Sequence, residues 1–220
     1  MRKNFDLKLE NLKNMVIEMG TLLIDSIDFT IDMVIKKDLT LLAKIKEYEE
    51  LGDTKEREIE RYCLSLIASQ HPVAKDLRFI SSSLKMITDM ERISDQALDI
   101  AEISLYLENY KEEKILNKIE KMAVATKYMI SKSIEAFIKE DISLATEVIK
   151  YDDVVDSLFH GVKKDILDKI AEGNNGQEEI LDLLMISKYF ERIGDHATNI
   201  SEWIIFNISG DHQFQSQVQD

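Results

Sequence analysis

The sequence has few of the residues that break helices and form turns. Its 220 residues include 7 glycines and 1 proline. An all-β sandwich or barrel needs a turn signal every ~8–12 residues, so the sequence excludes these architectures. Hydrophobic residues make up 45% of the chain and charged residues 32%. That balance is typical of a folded globular protein rather than a disordered one.

The sequence also has only one cysteine and no long apolar run. Cys63 cannot form a disulfide within the chain, which fits a reducing compartment, and its place on an apolar stripe predicts a core position. The first residues carry charges where a signal peptide would have an apolar centre. No run of about 18 apolar residues could cross a bilayer. We therefore expect a cytoplasmic protein with no direct membrane insertion.

Basic residues are outnumbered by acidic ones. The chain has 28 lysines and arginines against 42 aspartates and glutamates, a net charge of −14. Such a chain repels the phosphates of nucleic acids and of anionic lipids, so we expect no nucleic-acid partner. Divalent cations and basic protein surfaces are the partners that this charge favours.

Apolar residues recur at spacings of three and four, which predicts long helices. The first covers about 5–34, and Asp38 is the predicted N-cap of the second. A third follows the break at 69–72 and ends near Leu107, and three more cover 112–139, 141–171 and 177–208. Connectors are predicted at 110–113 and 173–176, with a frayed polar tail after Gly210. Short connections between long helices predict antiparallel bundles. The alternative is a long coiled coil, which the proline and the glycine-rich turn would interrupt.

The two halves of the sequence repeat each other. Residues 90–97 match 190–197 at an offset of 100, and residues 37–41 match 140–144 at an offset of 103. Helices 1–3 and 4–6 are therefore two copies of one unit. The predicted fold is all-α, with two tandem three-helix bundles related by an internal repeat. The predicted domains are 1–109 and 110–210, followed by a polar tail at 211–220.

The repeat carries pairs of acidic residues spaced four apart, which places both carboxylates on one helix face. The composition alone predicts roughly 8 such pairs by chance, most of them solvated, so a single pair carries no information. Two pairs of the first half, however, recur in the second half at the repeat's own offsets of 103 and 100, which gives four pairs in all. These pairs are Glu49/Asp53, Glu91/Asp95, Asp152/Asp156 and Glu191/Asp195.

Like charges at this spacing repel, so a metal ion is the expected partner of these pairs. Carboxylate oxygens favour iron, manganese, magnesium or calcium over structural zinc. We expect divalent or trivalent ions, iron first, with manganese, magnesium or zinc as alternatives. A ferritin-like di-iron site would need Glu-x-x-His motifs, and the sequence contains none.

Other residues of these motifs have less specific interpretations. Arg92 and Arg192 are predicted to form structural salt bridges. His196 is a weaker candidate ligand because Gln96 stands at its counterpart. Gly52, Ser94 and Gly194 lie inside the pairs and could allow either a cation or a neighbouring helix to approach closely. No nucleotide loop, metalloprotease motif or nucleophile with its base occurs, so an enzyme is not indicated.

Two copies of one signature make the chain similar to a known family. Glu-Arg-Ile-Ser-Asp-Gln-Ala at 91–97 and Glu-Arg-Ile-Gly-Asp-His-Ala-Thr-Asn-Ile at 191–200 resemble the repeated signature of the PhoU family. The segment His-Pro-Val-Ala-Lys-Asp-Leu-Arg at 71–78 resembles that family's link into its third helix. The resemblance covers about 5–210.

This resemblance implies a fold, a function and a set of ligands. PhoU proteins are pairs of three-helix bundles with pseudo-twofold symmetry, often dimeric. They are cytosolic negative regulators of the phosphate-starvation response that contact a phosphate ABC transporter's ATPase and a sensor histidine kinase. Some members bind metal clusters through Glu/Asp-x-x-x-Asp motifs, which fall on the four pairs above. Gly52 and Gln96 depart from the family's pattern.

Three functions remain open at the level of sequence. The first is a phosphate-signalling adaptor that acts through protein contacts, most simply as a homodimer. The second is a metal-storage or redox carboxylate protein, in which the metal cluster is itself the function. The third is a helical scaffold whose acidic pairs are solvated.

Overall fold

The computed structural model describes residues 2–69, 72–107, 113–172 and 177–211, and these residues form six long helices without a strand. A 3₁₀ turn at Leu39–Leu41 precedes the second helix, and another at Leu105–Leu107 follows the third. The helices are α1 Arg2–Lys36, α2 Leu42–Ser69, α3 Ala74–Ser104, α4 Glu113–Lys139, α5 Ile142–Ala171 and α6 Gln177–Ser209. The predicted all-α class is confirmed.

The structure refines two predicted helix boundaries. Asp38 caps the 3₁₀ turn rather than α2 itself, because its side chain accepts a hydrogen bond from the Thr40 N–H at 3.2 Å. The α-helical part of α3 ends at Ser104, and the last turn tightens into the 3₁₀ form that often ends helices. In the second half the equivalent residue, Asp141, caps the α-helix α5 directly, because its side chain accepts a hydrogen bond from the Leu144 N–H at 3.1 Å. The predicted turn at 173–176 and most of the predicted tail and 110–113 connector lie outside the described residues.

The repeat is visible in backbone geometry. Lys37 and Glu140, separated by 140 − 37 = 103 residues, both adopt left-handed conformations just after the first helix of their halves. The left-handed conformation ends a helix by turning the chain away. Glycine usually occupies this position because a Cβ there costs roughly 1 kcal/mol.

Buried hydroxyls repeat as well. Thr30 Oγ1 of α1 donates to the Ala97 carbonyl of α3 at 3.4 Å, and Ser133 Oγ of α4 donates to the Ala197 carbonyl of α6 at 3.3 Å. Thr30 and Ser133 are 103 residues apart, and the two alanines are 100 apart. Each half therefore links its first and third helices by the same interhelical contact.

The two halves share one hydrophobic core. The principal cluster of buried residues includes side chains from all six helices, and Cys63 is fully buried in it as predicted. Helix α3 packs on α6, and α1 packs on α4. Polar contacts join the halves too, because Asp89 of α3 accepts hydrogen bonds from His196 at 2.8 Å and Asn199 at 3.1 Å.

At Gly20, α1 packs tightly against the Ile134 side chain of α4. A Cβ added to Gly20 would lie 2.6 Å from Ile134 Cδ1 and 2.9 Å from its Cγ1. We expect Gly20→Val to destabilise the protein by about 2 kcal/mol, because the added side chain would overpack the contact between the halves. Urea denaturation followed by circular dichroism measures the effect.

Thr21→Val is the matched control for this substitution. Thr21 is exposed on the same helix and accepts the same new side chain without a packing conflict. Equal stabilities of the two variants would show that α1 and α4 do not pack closely at Gly20.

Candidate metal centre

Two helices of the first half bring three carboxylates together. Glu49 and Asp53 of α2 lie one turn apart and face Asp95 of α3. One oxygen of each lies within 4.8 Å of the other two, a group of the size that can hold a metal ion. We call the following four residues the first cluster: Glu49, Asp53, Glu91 and Asp95.

Burial and mutual repulsion raise the pKa values of Glu49, Glu91 and Asp95. The Glu91 side chain is 16% exposed, and burial, with the Asp95 charge second, raises its pKa to about 7. Burial also raises the pKa values of Glu49 and Asp95. Part of the cluster is therefore protonated near neutral pH in the absence of a cation.

Two arginines contact the first cluster. Arg92 places its Nε 3.3 Å from Glu91 Oε2 and its Nη1 3.2 Å from Asp95 Oδ2. Arg57 Nη1 lies 3.3 Å from Asp53 Oδ2. The predicted salt bridge of Arg92 is confirmed. Of the four carboxylates, Glu49 is the one without an ion pair to another described residue.

Glu56 is a further acidic residue of this region that the sequence analysis missed. It lies two turns after Glu49 on α2, and Thr88 Oγ1 donates to its Oε1 at 3.4 Å. Burial raises its pKa, and its charge contributes to the raised pKa of Glu91. Comparison of the two repeats did not indicate Glu56, because its counterpart at the offset of 103 is the apolar Phe159.

The second half carries the equivalent carboxylates on α5 and α6, but no three of these described carboxylates converge within 4.8 Å as Glu49, Asp53 and Asp95 do. We call the following four residues the second cluster: Asp152, Asp156, Glu191 and Asp195. Burial raises the pKa of Asp152 to about 7, and the charges of Asp195, Asp156 and Glu191 add to the shift. Burial and then the charge of Glu191 raise the pKa of Asp195.

Asp152 has a buried oxygen with no hydrogen-bond partner among the described residues. A buried carboxylate oxygen without a donor is costly unless a cation or ordered water satisfies it. The three converging carboxylates of the first cluster could hold a divalent or trivalent cation, and the second cluster offers the same hard oxygen donors from two helices. The donor chemistry does not identify the ion.

Gly194 allows the second cluster to form. A Cβ at this position would lie 2.9 Å from Asp152 Oδ1, so a larger residue would push the aspartate of α5 away from α6. In the first half, a Cβ on Gly52 would lie 3.3 Å from Ser94 Oγ. Both glycines therefore serve close helix packing, and at Gly194 that packing also positions a candidate ligand.

One prediction for a residue beside the second cluster is wrong. Arg192 makes no ion pair with a described carboxylate, so its predicted salt bridge is wrong. His196, a weaker candidate ligand, uses Nδ1 to contact Asp89 across the interface of the halves. The positively charged side chain that pairs with the second cluster is Lys188, which contacts Glu191. Thr88 stands at the corresponding position of the first half, so the repeat gave no signal for it.

No helix within the described ranges is long and apolar enough to span a membrane. The model of the PhoU domain matches the chain twice, over residues 16–104 and 119–204. These matches reproduce the order of the two repeats, with one carboxylate cluster in each.

Curated relatives match over nearly their whole length. A "phosphate-specific transport system accessory protein PhoU homolog" of Clostridium acetobutylicum is 35% identical over 95% of this chain and 96% of its own. The corresponding homolog 1 of Thermotoga maritima is 34% identical over 94% of this chain and 90% of its own.

Solved structures agree with the fold. The crystal structure of PhoU from Pseudomonas aeruginosa superposes with a TM-score of 0.90 at 27% identity, covering 94% of this chain and all of that one. A PhoU structure from Streptococcus pneumoniae supports the same fold, with a TM-score of 0.87 at 23% identity and coverage of 94% and 98%.

Proposed function

The chain belongs to the PhoU family, and we propose that it is an accessory regulator of phosphate-specific transport. The observation that carries this proposal is the full-length similarity to proteins named for that role, at 35% and 34% identity. The family consists of accessory and regulatory proteins, so the expectation that the chain is not an enzyme agrees with its relatives.

We propose that the protein acts by contact with other proteins in the cytosol. Its partners would be the ATPase of a phosphate ABC transporter and a sensor histidine kinase, and it would restrain the phosphate-starvation response as a homodimer. The net charge of −14 favours basic partner surfaces and speeds encounter with them at low salt. The division into domains at 1–109 and 110–210, with a tail at 211–220, remains a prediction.

We propose that all eight residues of the two clusters are metal ligands. Iron is the first candidate, and manganese, magnesium or zinc are alternatives. A bound cation would supply positive charge to carboxylates that otherwise repel each other. The carboxylates themselves join α2 to α3 and α5 to α6, so their ionisation state affects how these helices pack.

A metal-storage or redox protein is the second candidate function. The observation that favours it is the convergence of Glu49, Asp53 and Asp95, whose oxygens lie within 4.8 Å of one another and could hold a metal ion. Phenotype distinguishes the two functions, since loss of a storage protein would alter metal tolerance and leave phosphate-dependent gene expression intact.

Deleting the gene in its native host tests the regulatory function. We expect phosphate-scavenging genes to be expressed in phosphate-rich medium, several-fold above the parent strain, because the proposed restraint is lost. A transcriptional reporter measures the change, and the full chain supplied from a plasmid is the control. Normal repression in the deletion strain, with no transporter or kinase recovered by crosslinking, would favour the storage function.

A further inference from the structure

The two clusters contain the same number of carboxylates but differ in how these are neutralised. Arginines pair with three of the four in the first cluster, namely Asp53, Glu91 and Asp95. In the second cluster, Lys188 pairs with Glu191, and the other three carboxylates make no ion pair with a described residue. The repeat therefore conserves the acidic residues but not their counter-charges.

Sequence differences at equivalent positions explain this asymmetry. The counterpart of Arg57 at the 103 offset is His160, whose Nδ1 contacts the Asp156 carbonyl oxygen rather than a carboxylate. The counterpart of Arg92 at the 100 offset is Arg192, which forms no ion pair with a described carboxylate. Arg192 instead lies close enough to Tyr189 to influence its pKa.

We propose that Arg92 is an internal counter-cation that competes with metal for the first cluster, an inference that rests on the proposed metal sites. A cation that takes both Glu91 and Asp95 must displace the guanidinium from the oxygens it contacts. The Arg92 side chain is 55% exposed, so it can swing into solvent and return. The second cluster has no such competitor at Asp152, Asp156 or Asp195, and it fills first.

The two clusters would therefore bind metal with different affinities. The second cluster takes metal at low concentration, and the first does so only when the metal concentration is high enough to displace Arg92. Convergence of Glu49, Asp53 and Asp95 within 4.8 Å keeps the first cluster ready for a cation once the arginine has left.

Titration of the chelator-treated, full-length protein with Mn²⁺ tests the order of filling. Electron paramagnetic resonance measures the concentration of free aqueous Mn²⁺ at each step of the titration. We expect two classes of site in the parent protein. Asp156→Asn should remove the tighter class and Glu49→Gln the weaker one, since neither residue contacts Arg92.

Arg92→Gln and Arg192→Gln then form a matched pair of variants. We expect Arg92→Gln to tighten the weaker class about fivefold, because a divalent ion feels the removed charge twice as strongly as a monovalent ion, although solvent screens a half-exposed group. Arg192→Gln should leave both classes unchanged. Arg92→Lys should give a smaller gain, because one ammonium cannot bridge two carboxylates as a guanidinium does.

Each outcome decides the question. No effect of Arg92→Gln, equal effects of the two arginine variants, or a tighter class that disappears with Glu49→Gln would overturn the competition while leaving the metal sites standing. No bound Mn²⁺ at either cluster of the parent protein would overturn the metal sites and this inference together. Circular dichroism verifies folding, and Arg92→Lys carries the test if Arg92→Gln fails to fold.

Discussion

The metal-free protein is expected to lose stability as the pH rises from 5 to 8. The pKa of Asp152 is raised in the folded state from 3.8 to about 7, and that of Glu91 from 4.5 to about 7. A raised folded pKa means that folding favours the protonated form, so the stabilisation is complete below the unfolded pKa near 4. It disappears as the pH passes the folded pKa near 7.

The size of this effect is about 1–2 kcal/mol for the two groups together. Each pH unit by which the folded pKa exceeds the unfolded pKa corresponds to about 1.36 kcal/mol, so the two raised pKa values set an upper limit of several kcal/mol. Both carboxyl groups are partly open to solvent, which screens their interactions and reduces this value. Urea denaturation in the presence of chelator, at constant ionic strength, measures the free energy of unfolding at each pH.

Mn²⁺ provides the control for this pH effect. At pH 8 the ionised clusters bind the cation best, so saturating metal should restore the stability lost on deprotonation. A ligand at about 100 times its Kd stabilises the folded state by about 2.7 kcal/mol. Rising stability of the metal-free protein between pH 5 and 8 would contradict the raised pKa values.

Helices and repeats were predictable because both are periodic. The spacing of apolar residues predicted all six helices, and the offsets of 100 and 103 predicted their grouping into two units. Shared periodicity is also why the acidic pairs of the two halves could be matched from the order of residues alone. The same reasoning placed Cys63 in the core, where it is fully buried.

The partners of individual charges were not predictable, because they depend on which helix faces rotate toward each other. Arg92 and Arg192 are equivalent in sequence, yet only Arg92 contacts its own cluster. Glu56 lies beside the first cluster and was hidden by its apolar counterpart Phe159. His196 contacts Asp89 of the other half. No pattern within one helix encodes these contacts.

The sequence also could not predict which apolar residues near the ends of helices are buried. Ile67 and Leu77 continue the apolar stripes of α2 and α3 but are exposed in this structure. Periodicity identifies the apolar face of a helix, but tertiary packing decides how far along its length that face is buried.

Asp152→Asn is expected to weaken metal binding and to stabilise the metal-free protein. The asparagine has nearly the same volume but removes a carboxylate whose buried Oδ1 has no hydrogen-bond partner among the described residues. In chelator at pH 8 the variant should be more stable than the parent by about 1 kcal/mol, because the charged form of a buried acid is penalised. Denaturation curves at pH 8 measure this gain.

Metal should affect this variant much less than the parent. Loss of one ligand from the second cluster should remove most of the rise in Tm that Mn²⁺ produces there. Asp153→Asn is the matched control, since Asp153 is the exposed neighbour on the same helix and the substitution makes the same change in net charge. It should leave both the metal-free stability and the response to Mn²⁺ as they are in the parent. If both variants behaved alike, the effect would belong to the overall charge of −14 and not to a site at Asp152.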